Sequence, residues 1–180
     1  MNKLIIFPTD TVYGIGCSIY DVENQNKIYK IKNRSKDKPL AVLCSSLSQI
    51  EKIAVVSDDA KKLIMNFLPG PLTLILPSKQ DVKDVLGLDT IGVRIPNHEV
   101  ALKIIGQMGP MTTTSVNDSG EKEMNEYDEI VKKYSKVVDY IYEPSGKPSN
   151  LASTVVLTQP TIKVIREGAI SSSLFIFIMI

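Results

Sequence analysis

Leu4-Ile5-Ile6-Phe7-Pro8-Thr9-Asp10-Thr11-Val12-Tyr13-Gly14-Ile15-Gly16 is the stretch on which the reading of this chain turns. Its first four residues are an apolar run that reads as a buried strand. Directly after them come two hydroxyls, a carboxylate and a phenol. Two glycines follow, which let the backbone turn or approach a ligand closely. Open α/β sheets bind their ligands at the carboxyl ends of strands. The segment is therefore either a turn whose Thr and Asp side chains satisfy their own backbone or a ligand-facing loop.

Outward from it, short runs rich in Ile, Val and Leu and bounded by Pro, Gly, Ser or Asp predict further strands at 40–44, 72–76, 91–95, 111–114, 137–142, 153–157 and 162–166. Between them, Asp21 to Asn33 reads as a helix, as does Asp58 to Leu68 with Ser57 as its cap. His98 to Met108, capped by Asn97, and Tyr127 to Tyr134 complete the helices. Strands alternate with helices in the first two-thirds and become denser later. That predicts a single α/β domain with a mixed sheet rather than a doubly wound one.

The bulk numbers agree with one domain. The chain has 180 residues, 43% hydrophobic, with 21 Lys+Arg against 20 Asp+Glu. That is ordinary for a packed core and gives no global charge argument for nucleic acid. Cys17 and Cys44 lack metal-ligand spacing and read as core thiols of a reducing compartment. With one histidine in the chain, a zinc site is excluded. No signal peptide is evident, which sets a cytoplasmic expectation with no membrane partner. The final Leu174 to Ile180 is wholly apolar yet too short to span a bilayer, which takes about 20 residues. It reads as a last buried strand or as an exposed tail. The domain is expected over residues 1–170, with 171–180 as a tail that belongs to it or is disordered.

Four more segments carry chemistry. Lys30 to Pro39 holds five cations and leads straight into a strand, so it lies at the sheet. Such cations suit polyphosphate charge, or simply the end of a helix. No Walker loop is present. In Asp89 to Pro96, Thr90, Gly92 and Arg94 alternate with Ile91, Val93 and Ile95 and share one strand face. An Arg there needs an anionic partner, structural or ligand. Thr112 to Gly120 is dense in hydroxyls and amides, and Ser115 and Asn117 point the same way if the segment is extended. Finally, Ala152-Ser153-Thr154 and Val164 to Ile170 add strand-start hydroxyls and a strand-end Arg166.

In this order the pieces PTDTVYGIG, KIKNRSKDKPL, PGPLTLIL, DTIGVRIPNH, the SVN of TTTSVNDSG, STVVL and VIREGAI resemble the single-domain type of the YrdC-like threonylcarbamoyl-AMP synthase family. The resemblance covers nearly the whole chain from Leu4 to Ile170. It implies a twisted mixed sheet with flanking helices and a large, positively lined concave cavity. The activity it implies is nucleotidyl transfer. L-threonine, bicarbonate or CO2, and ATP with Mg2+ give threonylcarbamoyl-AMP and pyrophosphate. The product passes to downstream threonylcarbamoyl-transferase proteins for N6-threonylcarbamoyladenosine (t6A) at position 37 of certain tRNAs, with tRNA itself a conceivable contact.

By the same resemblance, Lys32, Arg34, Lys38, Thr90, Ser115, Asn117 and Arg166 serve ATP. Thr11, Arg94, Thr113 and Ser153 serve threonine. No residue acts as nucleophile, and Lys32 and Arg34 stabilise charge. The chain departs from the family pattern at Leu43, where some members carry His, and around Lys122-Glu123-Met124, where a nucleotide contact near Glu123 is expected. Two other readings remain. One is a carbamoyl-adenylate-forming domain of the hydrogenase-maturation type, whose zinc and acylphosphatase-like modules have no counterpart in this sequence. The other is a non-catalytic RNA-binding module, which near-neutral charge and few aromatics disfavour.

Overall fold

The computed structural model describes residues 2–176. In chain order the elements are β1 (Ile5–Phe7), β2 (Gly14–Ser18), α1 (Val22–Ile31), β3 (Ala41–Leu43), α2 (Leu47–Ile53), α3 (Asp58–Phe67), β4 (Leu72–Pro77) and α4 (Gln80–Leu86). Then come β5 (Thr90–Arg94), α5 (Glu99–Met108), β6 (Met111–Ser115), α6 (Tyr127–Tyr134), β7 (Tyr140–Ile141), β8 (Thr154–Leu157), β9 (Lys163–Arg166) and α7 (Ser173–Ile176). The strands form one nine-stranded sheet in the order β7-β1-β2-β6-β3-β5-β4-β8-β9. Its β1/β7, β3/β5 and β4/β8 pairs are parallel and the others antiparallel. The expected single α/β domain with a mixed sheet is what the chain forms.

Side-chain alternation along the central strands decides the layers. Leu72, Leu74 and Leu76 of β4 and Ile91 and Val93 of β5, with Ile95 just after it, face α2, α3 and α4. There they pack on Ile50, Ile53, Leu63, Ile64 and Val82. The opposite face of the sheet is covered only at one end, over β1, β3 and β6. There α5 lays Ala101, Ile104 and Ile105 against Ile5, Phe7, Leu43 and Met111. Beyond α5 that face is open. β1 is covered on both sides, because Leu4 and Ile6 pack with Ile28 of α1 and Ile130 of α6. This double burial is why its sequence is a continuous apolar run.

Local chemistry sets the helix starts. Asp21 Oδ1 accepts from Asn24 N–H at 3.1 Å and Ser57 Oγ from Ala60 N–H at 3.2 Å. At α5 the cap is His98, whose Nδ1 accepts from Ala101 N–H, and not the expected Asn97. Two short helices, α2 and α4, were not predicted.

The larger correction is β2. Gly14 and Gly16 do not turn the chain; they lie inside a strand paired with Thr113 and Ser115. A Cβ on Gly16 would sit 2.7 Å from Thr113 Oγ1 and 2.8 Å from Thr112 O, so glycine makes room for the threonine. The tail also differs from the strand expected from Leu174. Residues 173–176 are helical, and buried Phe175 meets Phe67 edge-on at 5.1 Å. The rest of that apolar run, 177–180, lies outside the described residues. Both cysteines are buried thiols, as expected. Among the described residues no helix is long and apolar enough to cross a membrane.

Candidate active site

The open sheet face is a cavity of about 410 Å³, within the usual size of a small-molecule site. Alternate residues of six strands floor it: Gly14 of β2, Thr113 and Ser115 of β6, Leu43 of β3, Thr90, Gly92 and Arg94 of β5, Thr73 and Ile75 of β4, and Val155 of β8. Arg166 closes one side and the Thr9–Gly14 segment another. Of the eleven residues expected at the site, Thr11, Arg34, Thr90, Arg94, Thr113, Ser115, Ser153 and Arg166 line this one space. Lys32, Lys38 and Asn117 do not.

Arg94 is held from three sides. Its Nη2 meets Asp10 Oδ1 at 2.6 Å, Nη1 donates to Thr11 Oγ1 at 2.8 Å and Nε donates to Gly70 O at 3.0 Å. The anionic partner such an arginine needs is thus the carboxylate between the two threonines of the opening motif. Burial lowers the Arg94 pKa, and Asp10 opposes that shift. A guanidinium has five N–H donors. One on each Nη is left uncommitted, enough for a planar anion.

Lys32 is buried behind the cavity wall. Its Nζ donates to Ser115 O, to Asn117 O at 2.8 Å and to Asn117 Oδ1 at 2.6 Å. Burial is the main cause that pushes its pKa down to about 8, with the Arg34 charge adding to it. Asn117 turns inward to this ammonium. Its Oδ1 also accepts from Ser115 Oγ at 2.7 Å, and its Nδ2 donates to Glu121 O. The extended Ser-x-Asn of the sequence reading is therefore a bend tied down by a lysine. Ser115 alone of the pair reaches the cavity.

Arg34 is half-exposed and donates to the carbonyls of Lys38 at 2.8 Å and Pro39 at 3.2 Å. Lys38 thus contributes its backbone to aiming Arg34, while its own side chain is exposed. Across the cavity, Arg166 Nη2 donates to Ser153 O at 2.8 Å. Arg34, Arg94 and Arg166 face one lining carboxylate, Glu123, and Asp10 neutralises Arg94, so the wall is net positive. Among the described residues, no group of three or more His, Cys, Asp or Glu is arranged to hold a metal.

The sequence reading did not assign Thr73, Thr9 and Tyr13, which also line the cavity. Thr73 had a legible signal, since it is a lone hydroxyl in Leu72-Thr73-Leu74-Ile75-Leu76, on the face away from the leucines. Thr9 Oγ1 accepts from the Thr11 and Val12 N–H groups and donates to Val12 O, fixing the loop that presents Thr11. Burial raises the Tyr13 phenol to about 12, and it donates to Tyr142 O. At the family departure, Leu43 lines the cavity as an apolar wall, and Glu123 does reach it.

Comparison with known proteins bears on the family and the fold. The family model Sua5_yciO_yrdC, described as "Telomere recombination", matches residues 1–168. A protein of Methanocaldococcus jannaschii named putative threonylcarbamoyl-AMP synthase is 40% identical over 170 residues, 94% of this chain and 81% of its own. Among solved structures, Pyrococcus abyssi Sua5 complexed with L-threonine superposes with a TM-score of 0.90 at 32% identity, over 98% of this chain and 54% of that one. Escherichia coli YciO gives a TM-score of 0.86 at 29% identity, over 97% of this chain and 87% of its own. The chain thus spans about half of the Pyrococcus protein and most of the other two. Sequence and fold together place this chain in the Sua5/YciO/YrdC family.

Proposed function

We propose that this chain is a threonylcarbamoyl-AMP synthase that makes threonylcarbamoyl-AMP and pyrophosphate from L-threonine, bicarbonate or CO2, and ATP. One observation carries the reading. Two separated arginines, Arg34 and Arg166, share a single cavity with a third, Arg94, that sits among hydroxyls. Two arginines suit a polyphosphate, and the third suits a carboxylate. The relatives' names supply the activity in which those two ligands meet.

In this mechanism the amine of threonine adds to CO2 and loses a proton, giving a carbamate. A carbamate oxygen then attacks the α-phosphorus, and pyrophosphate leaves. Positioning and charge stabilisation do the work, as in other phosphoryl transfers. No protein nucleophile is needed. Arg34 and Arg166 neutralise the triphosphate, and Ser115 and Thr90 meet the nucleotide. Lys32, behind the wall, keeps Ser115 in place and adds its charge at short range. Thr11, Thr113 and Ser153 bound the amino acid, and the two uncommitted N–H groups of Arg94 hold its carboxylate.

Mg2+ fits as a companion of ATP rather than as a resident ion. Glu123 is the one carboxylate facing the cavity that is not spent on Arg94, so phosphate oxygens and water hold the ion. It screens phosphate charge, and the protein groups do the aligning. The product is a mixed anhydride, to be passed to a transferase acting on tRNA.

The test is pyrophosphate release from ATP by the whole chain. Release that requires L-threonine and bicarbonate together is the expected result. Release without threonine, or none under any combination, rejects the assignment.

A further inference from the structure

Thr73 lies on β4 with its side chain toward the cavity, one residue beyond the Leu74–Val93 pair and so beside Arg94 on β5. Its hydroxyl meets Ser153 Oγ at 2.8 Å, and neither hydroxyl has another hydrogen-bond partner among the described residues. Both residues are buried, 6% and 8% exposed, and both line the cavity. Two hydroxyls carry two protons. Their mutual bond uses one, whichever oxygen donates. The second proton has no partner in the wall, and a buried donor left unpaired is costly. The pair therefore offers one O–H to whatever fills the cavity.

The surroundings fix its geometry. Ser153 O accepts from Arg166. Gly168 presses so closely on Ser153 that a Cβ there would lie 2.7 Å from the Ser153 carbonyl carbon and oxygen. The backbone at 153 is thus clamped, and its side-chain oxygen is set by Thr73 alone. A donor next to a buried guanidinium with two free N–H groups complements an oxyanion better than an amine.

We propose that Thr73 is a positioning residue for the amino-acid substrate. It orients Ser153, and the pair gives one hydrogen bond to the substrate's carboxylate beside Arg94. This rests on the synthase reading above.

The experiment compares wild type with Thr73→Val, Thr73→Ser, Ser153→Ala and the Thr73→Val/Ser153→Ala double variant, with thermal midpoints checked. KM for L-threonine and for ATP is measured by pyrophosphate release, and L-threonine binding by calorimetry. Thr73→Val is expected to raise the threonine KM about tenfold, the scale of one hydrogen bond to a charged group. The ATP KM should stay within about twofold, and Thr73→Ser should restore the threonine KM. The double variant should be no more than about twofold worse than Ser153→Ala, because one residue acts through the other.

An unchanged threonine KM in Thr73→Val, parallel rises for threonine and ATP, or multiplying effects in the double variant would each overturn the proposal. A wild-type protein without threonine-dependent pyrophosphate release sinks the synthase reading instead. Calorimetric threonine binding then still reads the effect of Thr73, and equal affinities in wild type and Thr73→Val reject its role.

Discussion

Asp10 and Arg94, 84 residues apart, form an ion pair at 2.6 Å with side chains 16% and 8% exposed. It joins the loop after β1 to the middle of the sheet. Arg94 is therefore a floor as well as a candidate ligand contact. Its remaining donors are aimed because its other donors are spent on Asp10, Thr11 and Gly70.

Breaking a buried pair on one side leaves the other charge uncompensated, which costs about 3–5 kcal/mol. Asp10→Asn should destabilise the chain toward the lower end of that range, about 3 kcal/mol, because an amide oxygen keeps one weak contact. Urea unfolding midpoints at constant slope measure it. A loss below about 0.5 kcal/mol would mean the pair is not formed in solution.

Arg94→Ala should raise the threonine requirement more than the ATP requirement, and Arg34→Ala the reverse. Each loses a charge-assisted contact, so a rise of at least about tenfold is expected in the affected KM. Arg34 is half-exposed and bonded only to backbone carbonyls, so its variant should unfold near the wild-type midpoint. Near-normal ATP affinity in Arg34→Ala would remove it from the nucleotide.

Lys32 gives a signature in pH. Its pKa falls from 10.5 to about 8 on folding, chiefly through burial. Between these values the unfolded chain holds a proton that the folded one has released. This group therefore makes stability rise with pH from about 8 to 10.5, by about 3 kcal/mol in all. Below pH 8 both states hold the proton and the burial cost of the charge is felt in full. Subtracting the unfolding curves of Lys32→Met from those of wild type across pH 7–10.5 isolates the contribution. A flat difference would place the ammonium in water.

Gly16→Ala puts a methyl group 2.7 Å from Thr113 Oγ1 and 2.8 Å from Thr112 O, a backbone atom that cannot swing away. Overpacking of this kind costs about 1–3 kcal/mol. Thr113 would be pushed toward the cavity, so the threonine KM should rise together with the loss of stability. Gly87→Ala makes the contrast, since nothing lies within 4 Å of its added Cβ and only its φ of +67° is strained. It should lose stability without touching either KM.

Much of the architecture was legible in the residues themselves. Period-two alternation in Thr90 to Arg94 assigned Arg94 and its neighbours to one face, and that face is the cavity floor. Ser57 announced α3 through its hydroxyl. The convergence of Arg34, Arg94, Ser115 and Arg166 followed from motifs in register, and all four line one space. The misses share a cause. Gly14 and Gly16 left a turn and a close approach both open, because glycine's lack of a side chain looks the same whether it frees the backbone or admits a neighbour, here Thr113. The inward turn of Asn117 was not legible because the buried ammonium that claims it comes from 85 residues away. The short helices α2 and α4 are carried by packing against the sheet more than by local signal.

Local chemistry alone settled which segments form strands, where the charges fall and which face each side chain takes, because those depend on neighbours two to four residues apart. Partner choice is different. Whether Arg94 meets Asp10, whether Lys32 faces phosphate or Asn117, and whether Thr73 meets Ser153 depend on which strands lie side by side. That order, with β6 between β2 and β3 and β4 between β5 and β8, is set by long-range packing, and no window of the sequence contains it.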